Sequence, residues 1–217
     1  MPGAVVIGAG PGIGLSVARR FARTGMPVVA IARTKDTVDA TVSALTGDGA
    51  KAVEGFVADS TDEAGIRVAL DTAVDRHGVP DVLVYNAAHI RWDAPGELSA
   101  AELLATLAVN VVGAVTAAAH LGPRMSAAGH GTIILTGGMP DPEPKVTSLS
   151  LGKAGIRTLA TLLAGEYGPS GVHVATVTVA GAVAPGTAFD PDDIAEIYWR
   201  LHTQAPGTWD HEVLHSG

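Results

Sequence analysis

Three short stretches carry residue types and spacings that could do chemistry. The first is GAGPGIG (8–14), directly after the apolar run AVVIG and ahead of a helical pattern. Glycines there permit a tight turn and close approach of a phosphate, and the helix N-terminus supplies amide donors and the positive end of a dipole. The candidate positions are Gly8, Gly10, Pro11, Gly12, Ile13 and Gly14; a purely structural turn is the alternative. The second is Ala32-Arg33, closing the run PVVAIA. A carboxylate at that place would bond a ribose 2′-hydroxyl, and none is present; the forked guanidinium of Arg33 suits a 2′-phosphate instead. This favours NADP(H) over NAD(H), with a solvated surface arginine as the alternative. The third is His211-Glu212-Val213-Leu214-His215, a zinc-hydrolase spelling. It needs a helix, whereas DHEVLH reads as a strand that would set residues four apart by ~13 Å. No metal is expected.

The elements that must position these groups are legible as an alternation. Apolar runs at 4–8, 27–32, 52–59, 81–87, 131–138 and 171–181 read as strands, with a short seventh at 210–215. Between them lie helical patterns: from the glycine loop to about Arg23, then about 35–45, 62–76, 100–125 and 148–167, and a last helix after Asp190 with Pro191 in its first turn. Near-continuously apolar strands separated by helices predict a doubly wound α/β fold: a parallel sheet of about seven strands covered on both faces. The 217 residues are expected to form one dinucleotide-binding Rossmann domain.

Composition narrows the function classes. Hydrophobic residues make up 47% and charged residues 17%, so the chain is no disordered tail. Net charge is −8, without the basic footprint of a nucleic-acid binder. There is no cysteine, hence neither a disulfide framework nor thiolate chemistry. The uncharged stretch 103–123 is too rich in alanine and polar residues to read as a membrane span and is expected to be a buried or interface helix. No leader is evident at the N-terminus, and a soluble, cytoplasmic protein is expected.

Several motifs in order resemble the short-chain dehydrogenase/reductase family over nearly the whole length. The spacing of Gly8, Gly12 and Gly14 matches the family's glycine motif. Asp59, with Ser60 beside it, resembles the adenine-binding aspartate; Asn86-Ala87-Ala88 resembles the NNAG segment, with Tyr85 and Ala88 departing from it. Asn110 resembles the active-site asparagine, and Lys153 the lysine of YxxxK, which binds the nicotinamide ribose. After the sixth strand, Ala180-Gly181 with Val183 near the nicotinamide carboxamide is the better match to the PG motif; Pro185-Gly186 needs a longer strand.

The resemblance fails where proton transfer belongs. The family's tyrosine position, four before Lys153, is Leu149, and none of Tyr85, Tyr167 and Tyr198 has a lysine four residues on. The carbonyl-polarising serine position is Gly138, with Thr136 two residues back on the same strand face. Ser150, near the same helical face as Lys153, and His89, which follows the NAA segment, are the possible stand-ins, His89 otherwise being an ordinary loop histidine. The final helix begins near Asp190, which leaves no room for the usual substrate lid. Three functions stay open: a reductase of a small molecule needing little proton help, such as an iminium or activated alkene; a non-catalytic nucleotide-binding or scaffold protein; or a non-redox enzyme reusing the pocket. The resemblance also implies a homodimer or homotetramer.

Overall fold

The computed structural model describes residues 3–217. The chain alternates β1 (Ala4–Ile7), α1 (Ile13–Ala22), β2 (Val28–Ala32), α2 (Lys35–Gly47), β3 (Val53–Val57), α3 (Glu63–His77), β4 (Val82–Tyr85), α4 (Ala100–Leu107), α5 (Gly113–Ala128), β5 (Gly131–Thr136), α6 (Thr147–Tyr167), β6 (Val172–Val179), α7 (Pro191–His202) and β7 (Glu212–His215). All seven strands pair in parallel in the order β3-β2-β1-β4-β5-β6-β7. The order reverses beside β1, and at such a switch point the loops after neighbouring strands diverge and leave a crevice.

Strand alternation sends side chains to two cores. Val5, Ile7, Val29, Ile31, Leu83 and Leu135 face α3, α5 and α6, while Ala4, Val6, Val28, Val84 and Ile134 face α1 and α7. Burial on both sides explains why the strands read as continuous apolar runs. Four helices open on a side-chain cap: Thr34 for α2, Asp62 for α3, Ser99 with Glu102 as a capping box for α4, and Asp190 for α7. Helix α1 has no side-chain cap, and its first turn has no acidic residue.

The long helix expected over 100–125 is interrupted. A π-turn at Ala108–Val112 separates α4 from α5. Tyr85 donates its hydroxyl to the Val109 carbonyl at 2.5 Å, filling space where Gly113 has no side chain; a Cβ there would lie 2.3 Å from the Tyr85 oxygen. Periodicity could not show this, because the residue that uses the π-turn lies 24 positions away. Ala114, Ala117, Ala118, Leu121 and Met125 put the inner face of α5 in the core, while Leu104, Val112 and Val115 stay exposed.

Candidate active site

The carboxyl ends of the strands open into one cleft of about 710 Å³. At its centre β1, α1 and the exit of β4 meet by backbone alone. Gly14 allows α1 against Gly8, where a Cβ would lie 2.1 Å from the Gly8 carbonyl oxygen; Asn86 Nδ2 donates to that same carbonyl at 3.0 Å. Gly8 (φ +82°) and Gly12 (φ +89°) hold backbone shapes that other residues rarely adopt. The uncapped amides of α1 therefore face the cleft beside Gly10, Pro11, Gly12 and Ile13. Amides left open in this way at a helix start can receive an anion such as a pyrophosphate.

To one side of the cradle lie Arg33 and Asp59, both lining the cleft. Arg33 makes no hydrogen bond or ion pair among the described residues, and Thr34 and Thr37 stand next to it in the wall. Asp59 Oδ1 accepts from the Thr61 amide at 2.9 Å and the Thr61 hydroxyl at 2.8 Å. That amide holds its pKa below the usual carboxylate range against partial desolvation, with the hydroxyl and Arg33 adding. Ser60, Asn86, Ala87, Ala88, Gly181 and Val183 complete the predicted cofactor wall. Strand β6 ends at Val179, and the Ala180 amide bonds the His215 carbonyl at 3.0 Å, so Ala180-Gly181 rather than Pro185-Gly186 sits at the strand exit. Gly181 faces the Phe189 ring, which a Cβ would meet at 2.3 Å.

To the other side α6 presents Leu149 and Lys153, one turn apart, both only 8% exposed and both lining the cleft. Lys153 Nζ donates to the Thr136 carbonyl at 2.7 Å. Burial, with the charge of Arg157 behind it, holds the ammonium down to about 8. Arg157 donates to the carbonyls of Gly138 (2.8 Å) and Met139 (3.2 Å), pinning a turn in which Met139 has φ +49° and Gly138 φ +157°.

The stand-ins are placed unequally. The Thr136 hydroxyl is paired with Tyr198 of α7 at 2.7 Å, while its carbonyl takes Lys153. Ser150 is engaged with the main chain of Glu143 (3.0 and 3.3 Å) and lies outside the cleft lining. Asn110 is buried in the π-turn; its Oδ1 accepts from the His89 amide at 2.6 Å and its Nδ2 donates to the His89 carbonyl at 3.1 Å. Its side chain thus positions the His89 loop. His89 itself is exposed at the cleft wall with its main chain fixed. Trp92 is 79% exposed. The HExxH segment is β7, and its imidazoles bond separate carbonyls, those of Val174 and Ala188.

Asp93 was not legible as important. It is buried and accepts from the Ser148 amide (2.9 Å) and hydroxyl (2.5 Å), tying the loop after β4 to the first turn of α6. Burial raises its pKa, but Ser148 and Arg91 more than offset this and leave it lowered. In sequence, RWDAP is a polar loop whose partner stands 55 positions on.

This geometry belongs to a known class. The chain matches the short chain dehydrogenase family over residues 3–191 and is a member of it, a family whose proteins bind nicotinamide cofactors. Among its relatives, the short-chain reductase protein NovJ of Streptomyces niveus is 34% identical over 89% of this chain and 72% of its own length. The D-threitol dehydrogenase of Mycolicibacterium smegmatis is 31% identical over 81% of this chain and 68% of its own. A metagenomic short-chain oxidoreductase solved in complex with NADP superposes with a TM-score of 0.89 at 31% identity, covering 98% of this chain and 96% of that one.

The buried lysine sets a pH dependence. Its folded pKa of about 8 lies below the ~10.4 of an unfolded lysine. Below both values the cost of burying the charge is constant. Between them the unfolded chain holds the extra proton, so stability rises with pH. Urea unfolding from pH ~7.5 to ~10.5 should show this rise, on the order of 3 kcal/mol in full. Lys153→Met should remove it from the difference curve; an unchanged slope contradicts the buried charge.

Proposed function

We propose that this protein is an NADP(H)-dependent reductase for a small molecule whose reduction needs little proton help, an activated alkene or an iminium. One observation carries the reading: the cofactor end of the cleft keeps its donors, while the reacting end presents an apolar Leu149 and a bare Gly138. The uncapped α1 amides would hold the pyrophosphate, Arg33 with Thr34 the 2′-phosphate, Asp59 the adenosine, and Lys153 the nicotinamide ribose. The bound nicotinamide supplies or accepts hydride. Leu149 excludes water beside it but transfers no proton, and Thr136 is already committed to Tyr198. Loss of a general acid typically lowers rate by roughly 10²–10⁴.

The NADP-bound structural relative supports the cofactor class, and Arg33 supports the preference. Eleven residues separate β6 from α7, too few for a folded lid, so the chain acts as one domain with an open pocket. Exposed Leu104, Val112 and Val115, with Leu151 and Leu162 on α6, support a homodimer or homotetramer joined through these helices. The charge and apolar balance support a soluble, cytoplasmic protein without nucleic-acid or membrane partners.

Three measurements test this reading. Calorimetry should show tighter binding of NADPH than NADH, with Arg33→Ala erasing the difference; equal or better NADH binding by the parent overturns the preference. NADPH oxidation should be negligible with simple ketones, and Leu149→Tyr should raise it measurably. Adding Gly138→Ser helps less than the family pattern suggests: a serine there has room, its nearest contact being 3.5 Å, but must adopt φ +157°. Strong ketone reduction by the parent sinks the proposal. Light scattering at micromolar concentration should give a dimer or tetramer, and a monomer refutes the assembly.

A further inference from the structure

Activated alkenes and iminiums both need little proton help, and the charges at the reacting end distinguish them. Lys153 is a buried cation with no carboxylate partner among the described residues; the charge acting on it is the like charge of Arg157. Arg157 is bound to two neutral carbonyls and so adds positive charge without neutralising any. Among the described residues the one carboxylate lining the cleft is Asp59, after β3. Strand β3 lies four places from β5 in the sheet, about 19 Å at the usual strand spacing, and Asp59 is already held by Thr61 beside Arg33. His89, the other titratable group at this end, is exposed at the wall.

The donor count leaves capacity at Lys153. An ammonium has three N–H groups. One is given to the Thr136 carbonyl. A second suffices for a ribose hydroxyl, and the third is free for a further acceptor. The space beside Gly138 is bounded by the lysine stem: a Cβ there would lie 3.6 Å from Lys153 Cε, with Leu149 one turn away on α6. No hydroxyl stands where the family places its serine and tyrosine.

We infer, resting on the reductase reading, that Lys153 is a catalytic oxyanion-binding group whose ammonium directly takes the negative charge that builds on the oxygen of a conjugated carbonyl substrate. An iminium would set a third positive charge beside Lys153 and Arg157. A conjugated carbonyl does the reverse. A bound dihydronicotinamide would supply hydride to the β-carbon; the C=C pair would then shift and leave the carbonyl oxygen as an enolate oxygen. Lys153 gives that oxygen a hydrogen bond and then its proton. The enol returns to the ketone as the α-carbon takes a proton from a solvent water, which leaves as hydroxide, and the O–H proton goes back to Nζ. The sum is one hydride and one proton added across the alkene. The ammonium is already held in place on α6 by its own burial, so it need not reorganise as the charge develops.

The test needs no substrate. p-Nitrophenol is a neutral ring with an oxygen that becomes anionic, and its phenolate is coloured. Titrated on the parent protein with and without saturating NADPH, the bound phenol should ionise about one pH unit or more below the free one, a tenfold preference for the anion. Lys153→Met should abolish the shift, while Lys153→Arg and His89→Ala keep it. An unshifted or raised midpoint in the parent, no detectable binding, or an equal shift in folded Lys153→Met overturns the inference; the parent's own midpoint decides should that variant not fold. Tighter binding of N-methylpyridinium than of p-nitrophenolate also overturns it. NADPH fluorescence on the same samples reports the cofactor reading separately, so failure of one is distinguishable from failure of the other.

Discussion

Three stretches of backbone meet beside β1 at distances that no side chain would permit. Gly14 brings the start of α1 onto the Gly8 carbonyl, Gly8 brings the loop onto the Ala87 amide, and Asn86 closes the group by donating to Gly8. The cleft follows from that contact. It fixes the angle at which α1 leaves the sheet, and so aims the uncapped helix N-terminus into the cleft, with the positive end of its dipole. In the capped helices α2 and α3 a side chain already takes one first-turn amide, that of Thr37 and of Gly65.

The two ends of the cleft are built on different terms. The α1 end is made largely of main-chain groups, with Arg33 its one cation among the described residues. The reacting end depends on individual side chains, and here each hydroxyl near it is occupied elsewhere. Thr136 is bound to Tyr198, Ser150 to the Glu143 main chain, Ser148 to Asp93, and Tyr85 to the π-turn, its phenol pushed up to about 12 by burial. What remains is charge without a counter-charge, on Lys153, held in a wall of leucine, glycine and methionine.

That wall is held by contacts that run across the chain. Asp93 fastens the loop after β4 to the first turn of α6, Asn110 fastens His89 to the π-turn, and Arg157 fastens the turn after β5 to α6. Each joins a pocket loop to a rigid helix, so the side chains that face a substrate are positioned from behind by polar groups that do not touch it. Such polar clamps are satisfied at both ends, which is the condition for burying them at all.

The sequence by itself determined the alternation, the parallel sheet and the glycine cradle, because strand periodicity, helix punctuation and glycine spacing are local properties. It also put Leu149 four residues before Lys153 and Gly138 just past the fifth strand, where the resemblance led to an expectation of hydroxyls. The HExxH letters were resolved the same way, by the strand they sit in. Tertiary structure alone decided what the surviving groups do. That Asn110 grips the His89 main chain, that Ser150 and Thr136 are spent on partners 7 and 62 positions away, that the long helix breaks into a π-turn under Tyr85, and that Arg157 pins the turn after β5 at Gly138 are pairings that no local spacing shows. Hydrogen-bond partners and burial, not residue type, set whether a hydroxyl is available and how strongly an ammonium holds its proton, and neither is written in local spacing.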